Sequence, residues 1–139
     1  MKILFDTNVI LDVMLLREPF FKFSTLILAE VERKKIEGYI CSTTVTTIHY
    51  LVSKVKGSRE AKKQIKGLLQ LFEVSQVDKF ILESALQSKF QDYEDSVLHE
   101  SALREGLDGI VTRNTKDFHH SKLQIFDPEE LLKIIKPKV

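Results

Sequence analysis

The chain has 139 residues, of which 43% are hydrophobic and 29% charged, and its formal net charge is +1. This length and balance predict one domain, residues 1–139, with a single sizeable core. A net charge so near zero excludes binding of nucleic acid by the overall field, so such binding would require a local basic patch. The only cysteine is Cys41, and we expect a buried thiol in a reducing, cytoplasmic compartment. The sequence shows neither a signal-peptide pattern nor an apolar run of membrane-spanning length.

The first stretch of the chain combines a short apolar run with a polar turn. Residues 3–5 predict a buried parallel strand that ends in Asp6-Thr7-Asn8. Thr7 or Asn8 is expected to cap a helix over residues 9–15, which the segment Arg17-Glu18-Pro19 breaks. Ligands of open α/β sheets bind at the carboxyl ends of strands, so Asp6 lies where a site is expected. The alternative is that these three polar residues serve only as turn and cap.

Helices and strands alternate along the rest of the chain. Further helices are predicted over residues 21–35, ended by Gly38, and then over about 45–55, 58–72, 80–86 and 93–103, with a last helix opening at Asp127-Pro128. Strands are predicted at residues 39–41, 74–77, 109–112 and 123–126, and residues 136–139 form a tail. This alternation predicts the α/β class, as a single three-layer α/β/α domain with a central, mostly parallel sheet of four to five strands.

Several acidic residues are predicted to lie at one edge of that sheet. Asp6 ends the first strand, Asp92 and Asp95 open the helix before the fourth strand, and Asp117 follows that strand. Singly, Asp92 is a helix cap, Asp95 a complement to the helix dipole and Asp117 a turn residue. If Asp6, Asp95 and Asp117 converge on one cleft, their like charges raise one another's pKa unless a cation lies between them. Oxygen ligands without cysteine or clustered histidine favour Mg²⁺ or Mn²⁺, ions that act on phosphate esters.

Three segments resemble the signatures of the PIN-domain family, and the resemblance covers nearly the whole chain. They are Phe5-Asp6-Thr7-Asn8-Val9-Ile10-Leu11-Asp12, Asp92-Tyr93-Glu94-Asp95-Ser96 and Ile110-Val111-Thr112-Arg113-Asn114-Thr115-Lys116-Asp117-Phe118. Many small members are VapC-type toxins of bacterial toxin–antitoxin pairs. The resemblance therefore implies a PIN-like fold and a Mg²⁺- or Mn²⁺-dependent endoribonuclease that cleaves RNA phosphodiester bonds, and it is compatible with an antitoxin partner.

The same resemblance implies roles for individual residues. Asp6, Asp95 and Asp117 would be the catalytic metal ligands, Asn8 and Asn114 would orient them or bind water, and Thr112 would line the pocket. Arg113 and Lys116, which flank the acidic motif, are the preferred RNA contacts. The loop His119-His120 and the basic run Arg59, Lys62, Lys63 and Lys66 either contact RNA or are only solvated. Family members often form homodimers, for which Leu15, Leu16, Phe20 and Phe21 could supply an interface or else belong to the core.

The chain departs from the family pattern at one position. A glutamate usually lies on the helix after the second strand, but here Thr47 or a neighbour takes its place, and no acid lies between Gly38 and Glu60. A hydroxyl can hold a metal-bound water but adds no charge, so metal affinity should fall, with Asp92 as a partial compensation. The alternative function is therefore a catalytically weakened PIN-like module that binds RNA or a protein. A small-molecule phosphatase would need a second aspartate where this chain has Asn8.

Overall fold

A five-stranded parallel sheet forms the centre of the computed structural model, which describes residues 1–135. Its strands are β1 (Lys2–Phe5), β2 (Glu37–Cys41), β3 (Glu73–Ser75), β4 (Gly109–Val111) and β5 (Gln124–Phe126). They are ordered β3-β2-β1-β4-β5, and every neighbouring pair is parallel. The predicted sheet is thus confirmed at five strands. The predicted tail, residues 136–139, lies outside the described part of the chain.

Seven α-helices and one short 3₁₀ helix accompany the sheet within residues 1–135. The α-helices are α1 (Thr7–Met14), α2 (Phe21–Glu32), α3 (Ser42–Lys56), α4 (Ser58–Leu71), α5 (Lys79–Leu86), α6 (Tyr93–Glu105) and α7 (Pro128–Ile135). The 3₁₀ helix, Thr115–Phe118, follows β4. None of the helices in residues 1–135 has the length and apolar character needed to cross a membrane.

Two hydrophobic clusters fill the spaces on the opposite faces of the sheet. Because side chains alternate along a strand, Ile3 and Phe5 pack with residues of α1, α2, α3, α4 and α7, whereas Leu4 packs with residues of α5 and α6. Cys41, fully buried and free, joins the second cluster, as the sequence predicts. The result is the expected three-layer α/β/α arrangement.

Gly38 does not end α2, contrary to the expectation from sequence. That helix ends at Glu32, and Gly38 lies inside β2. A Cβ at position 38 would lie 2.7 Å from the ring of Phe72, so the glycine is required by a close approach within the core. The third strand is also shorter than expected, since it ends at Ser75 and leaves Val77 outside the sheet.

The strand order places a topological switch point between β1 and β4. From β1 the chain adds β2 and β3 on one side, and then crosses to build β4 and β5 on the other. Phe5 is in register with Val111, and the Asp6 N–H donates to the Val111 carbonyl at 3.0 Å. Asp6 and Thr112, the residues that follow these two strands, are therefore neighbours at the edge where open α/β sheets bind ligands.

Replacing Gly109 with alanine should destabilise the sheet beside this edge. The new Cβ would lie 2.8 Å from the Gln124 carbonyl oxygen and 2.9 Å from the Phe126 ring, so β4 and β5 would have to shift. We expect Gly109→Ala to lower the free energy of unfolding by about 1–3 kcal/mol, measured by urea denaturation. Gly67→Ala in α4, where nothing lies within 4 Å, is the control and should gain up to about 1 kcal/mol. Equal stability of the Gly109 variant and the wild type would contradict this packing.

Candidate metal centre

Asp6 is a buried carboxylate held at the junction of β1 and α1. It is the N-cap residue of α1, which already includes Thr7 and Asn8, so the prediction that one of those two caps the helix is wrong. The extended backbone of Asp6, with φ −63° and ψ 147°, makes it the boundary residue. Its Oδ2 accepts a 2.7 Å hydrogen bond from the Thr112 hydroxyl. Burial raises the pKa of Asp6, whereas this hydrogen bond and the nearby Arg113 lower it.

Asp95 lies in the first turn of α6, among other carboxylates. Asp92 caps this helix, as predicted, because its Oδ1 accepts from the Asp95 N–H at 2.9 Å. Burial is the largest cause that raises the pKa of Asp95 to about 7, and the negative charges of Asp6, Asp92, Asp117 and Glu94 raise it further. Asp6 and Asp117 therefore each lie within electrostatic reach of Asp95.

Glu94 is a member of this carboxylate cluster to which the sequence patterns assign no role. Its charge raises the pKa of both Asp6 and Asp95, although its own side chain is exposed. The residue precedes Asp95 on α6, and the only sequence signal was its place inside the second acidic motif. The cluster thus contains an acid besides the three predicted ligands.

A cavity of about 450 Å³ opens beside the cluster, and we call it the acidic cleft. It is lined by Asp92, Asp95 and Asp117, together with Lys116 and side chains of the adjoining loops. Among residues 1–135, no three Asp, Glu, His or Cys side chains form a group that could hold an ion by themselves. Mg²⁺ commonly binds one or two carboxylates and keeps several waters, so this set of oxygen donors fits a hydrated hard cation.

Of the supporting residues predicted from the resemblance, some contact the carboxylate cluster and others do not. Thr112 is fully buried, donates to Asp6 and accepts from the Asn114 N–H at 3.0 Å. Asn8 accepts a long hydrogen bond of 3.5 Å from Arg17. The Thr47 hydroxyl donates to the Thr43 carbonyl within α3, at 3.1 Å. Thr112 therefore contacts a carboxylate directly, whereas the hydrogen bonds of Asn8 and Thr47 go to other groups.

Asp12 is a second buried carboxylate, which sequence reasoning missed. Its side chain is 1% exposed and lies 3.5 Å from Arg113 Nε and 3.7 Å from the nearer Arg17 nitrogen. Burial raises the pKa of Asp12, and the two arginines lower it. The Arg113 guanidinium also lies over the Phe20 ring, 4.0 Å from its centroid. Asp12 therefore holds Arg113 at the edge of the sheet, and its position within an apolar helix was the signal that could have revealed it.

The residues considered for a homodimer are partly in the core. Leu15 packs against the larger hydrophobic cluster, and Phe21 is half-buried. Leu16 is 65% exposed, and Phe20 is 40% exposed beneath Arg113. The homodimer remains a prediction, because exposure alone does not identify an interface.

These features define a class: a doubly wound parallel α/β domain with a carboxylate cluster at its switch point. A family model of the PIN domain matches residues 2–116, and the chain belongs to the PIN-domain family. Ribonuclease VapC1 from Aquifex aeolicus (strain VF5) is 26% identical over 134 residues, covering 93% of this chain and 92% of that protein.

Solved structures share the fold. VapBC-1 from nontypeable Haemophilus influenzae superposes with a TM-score of 0.70 at 18% identity, covering 93% of this chain and 99% of the other. DNA-bound VapBC from Salmonella typhimurium superposes with a TM-score of 0.69 at 19% identity, covering 92% and 98%. At such identities these similarities establish the architecture.

Removing the Thr112 hydroxyl should destabilise the buried Asp6 carboxylate. Thr112→Val keeps the shape but loses the hydrogen bond to Asp6, so we expect the free energy of unfolding at pH 7 to fall by roughly 1.5–3 kcal/mol. Thr112→Ser retains a hydroxyl and is the matched control, with a smaller loss expected in the same urea titration. A valine variant at least as stable as the serine variant would contradict the role of this hydrogen bond.

The stability of the metal-free protein should depend on pH through Asp95. Its pKa is about 7 in the folded chain and 3.8 ordinarily, so between these values the folded state keeps a proton that the unfolded state has released. The free energy of unfolding in EDTA should therefore fall as pH rises from about 4 to about 7, and then level off. Asp95→Asn should lose less stability across this window.

Urea denaturation at pH 5 and pH 7.5 measures this difference. Glu105→Gln removes the same charge from an exposed position of the same helix, and its pH dependence should match that of the wild type. The assignment fails if Asp95→Asn shows the full wild-type dependence.

Proposed function

We propose that this chain is a metal-dependent endoribonuclease that cleaves RNA phosphodiester bonds and acts as the toxin of a toxin–antitoxin pair. The observation that carries the proposal is the cluster of Asp6, Asp95, Asp117 and Glu94 at the switch point of a PIN domain. The relative named Ribonuclease VapC1, which aligns over nearly the full length of both chains, supports the activity. The VapBC toxin–antitoxin complexes among the solved relatives support an antitoxin as partner.

Asp6, Asp95 and Asp117 are the proposed ligands of Mg²⁺ or Mn²⁺, with water completing the coordination. A divalent ion bound there supplies stabilisation of the charge that develops on the phosphate oxygens during cleavage. Thr112 keeps Asp6 in place through its hydrogen bond, so this buried carboxylate is already oriented. Lys116 is exposed in the acidic cleft and can bind a phosphate, and Arg113 is held nearby by Asp12 and Phe20.

Glu94 supplies the charge that the family glutamate would otherwise contribute from α3. The sequence assigns the position of that glutamate to Thr47 or a neighbour, and Glu94 lies close enough to act electrostatically on both Asp6 and Asp95. Since the charge count of the ligands tunes the affinity for hard cations, an acid on α6 can offset one missing from α3. This observation favours the enzyme over the alternative of a catalytically weakened module that only binds RNA or protein.

Asp95→Asn tests the proposed activity directly. We expect the affinity for Mn²⁺, measured by calorimetry, to fall at least about tenfold, because the amide removes a charged oxygen ligand. Cleavage of a labelled single-stranded RNA should fall to background, while the circular dichroism spectrum stays unchanged. Glu105→Gln is the control and should bind metal and cleave as the wild type does. If the wild type itself cleaves no RNA in Mg²⁺ or Mn²⁺, the binding-module alternative replaces the enzyme.

A paired exchange tests the role of Glu94. Glu94→Gln should weaken Mn²⁺ binding and slow cleavage, and adding Thr47→Glu in that background should restore part of both, because it returns a carboxylate at the usual family position. The same calorimetric and cleavage assays are applied to the wild type, to the single variants Glu94→Gln and Thr47→Glu, and to the double variant. If Glu94→Gln behaves as the wild type, Glu94 is not the compensating acid; if only Thr47→Glu has an effect, the site lacks a fourth acid.

A further inference from the structure

A second cavity, which we call the side cavity, adjoins the acidic cleft. Its volume is about 480 Å³, and it shares three lining residues with the cleft, namely Lys89, Phe90 and His120. Lys122 and the buried His99 also line the side cavity. Because the two cavities share a wall, a chain molecule bound in the acidic cleft can continue into the side cavity.

The two cavities differ in charge. The acidic cleft has three carboxylates, Asp92, Asp95 and Asp117, against two lysines, Lys116 and the shared Lys89. The side cavity has one carboxylate, Glu100, against Lys122 and the shared Lys89. Glu100 Oε2 is hydrogen-bonded to His99 Nδ1 at 2.9 Å, and both lysines are exposed. The combined groove thus has an end suited to a cation and an end suited to an anion.

The wall of the side cavity is a fixed structure. His99 Nε2 accepts a 3.3 Å hydrogen bond from the Lys122 N–H, so the ring proton is on Nδ1, which donates to Glu100. The His99 ring packs on Phe90 at 4.8 Å between centroids, and Phe90 packs on Phe118 at 5.5 Å. These contacts tie the loop that carries Lys122 to α6, so the position of its backbone is set before any ligand binds.

Two exposed rings lie at the border of the cavities. The His119 and His120 centroids are 3.9 Å apart, and His119 Nδ1 donates to the Lys116 carbonyl at 2.8 Å. Flat side chains beside cations are the usual means of binding unpaired bases, which stack while their phosphates contact the charges. A paired duplex would not offer its base faces to these rings.

We propose that the side cavity is a subsite for single-stranded RNA, in which Lys89 and Lys122 bind a phosphate that flanks the phosphodiester cleaved in the acidic cleft. The inference rests on the proposed ribonuclease function for the identity of the strand. The scissile phosphate occupies the acidic end, and the neighbouring nucleotides follow the shared wall past His120. Lys89 and Lys122 are binding residues, and His99 is a positioning residue that acts through the backbone of Lys122.

The test compares two double variants with equal loss of charge. Lys89→Ala/Lys122→Ala removes the proposed phosphate contacts, and Lys2→Ala/Lys35→Ala removes two exposed lysines at the opposite edge of the sheet, near the starts of β1 and β2. Binding of a fluorescein-labelled single-stranded RNA is measured by anisotropy in EDTA, so that cleavage and metal play no part. We expect the Kd of the first variant to rise on the order of tenfold, and the magnitude of its salt slope to fall by about 0.7, for one phosphate that is no longer neutralised. The control should stay within about twofold of the wild type.

The outcomes separate the subsite from the catalytic proposal. A selective loss of RNA binding in Lys89→Ala/Lys122→Ala supports the subsite even if the wild type, given Mn²⁺, cleaves nothing and the ribonuclease proposal fails. Where cleavage occurs, the KM for a long RNA should rise in this variant while the rate on a minimal two-nucleotide substrate stays unchanged. An unchanged Kd and salt slope, or an equal loss in the control, would overturn the subsite. Unchanged RNA binding with weakened binding of an acidic hexaglutamate peptide would also overturn it, in favour of a protein ligand.

Discussion

One buried hydrogen bond, between the Thr112 hydroxyl and the Asp6 carboxylate at 2.7 Å, connects the two strands on which the site depends. Each partner follows directly on a strand, and the strands are themselves paired through Phe5 and Val111. The position of Asp6, a buried member of the proposed ligand set, is therefore set by the sheet and not by a loop. A buried carboxylate without such a donor would be costly, so this contact lets the charged group remain inside the fold.

Opposite charges are held apart at this edge by separate elements. The carboxylates around Asp95 come from β1, α6 and the 3₁₀ helix, whereas Arg113 is fixed by Asp12 of α1 and by Phe20. Arg113 also lowers the pKa of Asp6, so the two groups are coupled through space. Phosphodiester chemistry requires both signs, because the metal needs anionic ligands and the substrate is itself an anion. The ion pair with buried Asp12 and the contact with Phe20 hold Arg113 beside the cluster.

Features determined by neighbouring residues were predictable from the sequence. The alternation of strands and helices predicted the parallel sheet, and the helix cap predicted at Asp92 is a hydrogen bond across three residues. The placement of Asp6, Asp95 and Asp117 at one edge followed from the same alternation. Features determined by distant contacts were not predictable. The sequence around Gly38 predicts a helix end. The glycine is in fact required because the Phe72 ring, which comes from a distant part of the chain, leaves no space for a Cβ. Asp12 and Glu94 gain their roles only when α1 and α6 meet the ends of β1 and β4.

The distance along the chain between the partners of the central hydrogen bond bears on how the protein is made. Asp6 and Thr112 are 106 positions apart, and β4, which lies beside the first strand, is among the last strands to be synthesised. During synthesis on the ribosome, Asp6 therefore lacks its hydrogen-bond donor until residue 112 has emerged. The cleft is therefore absent from every incomplete chain that lacks residue 112. The hydrogen bond that orients Asp6 can therefore form only after β4 has been synthesised and has paired with β1.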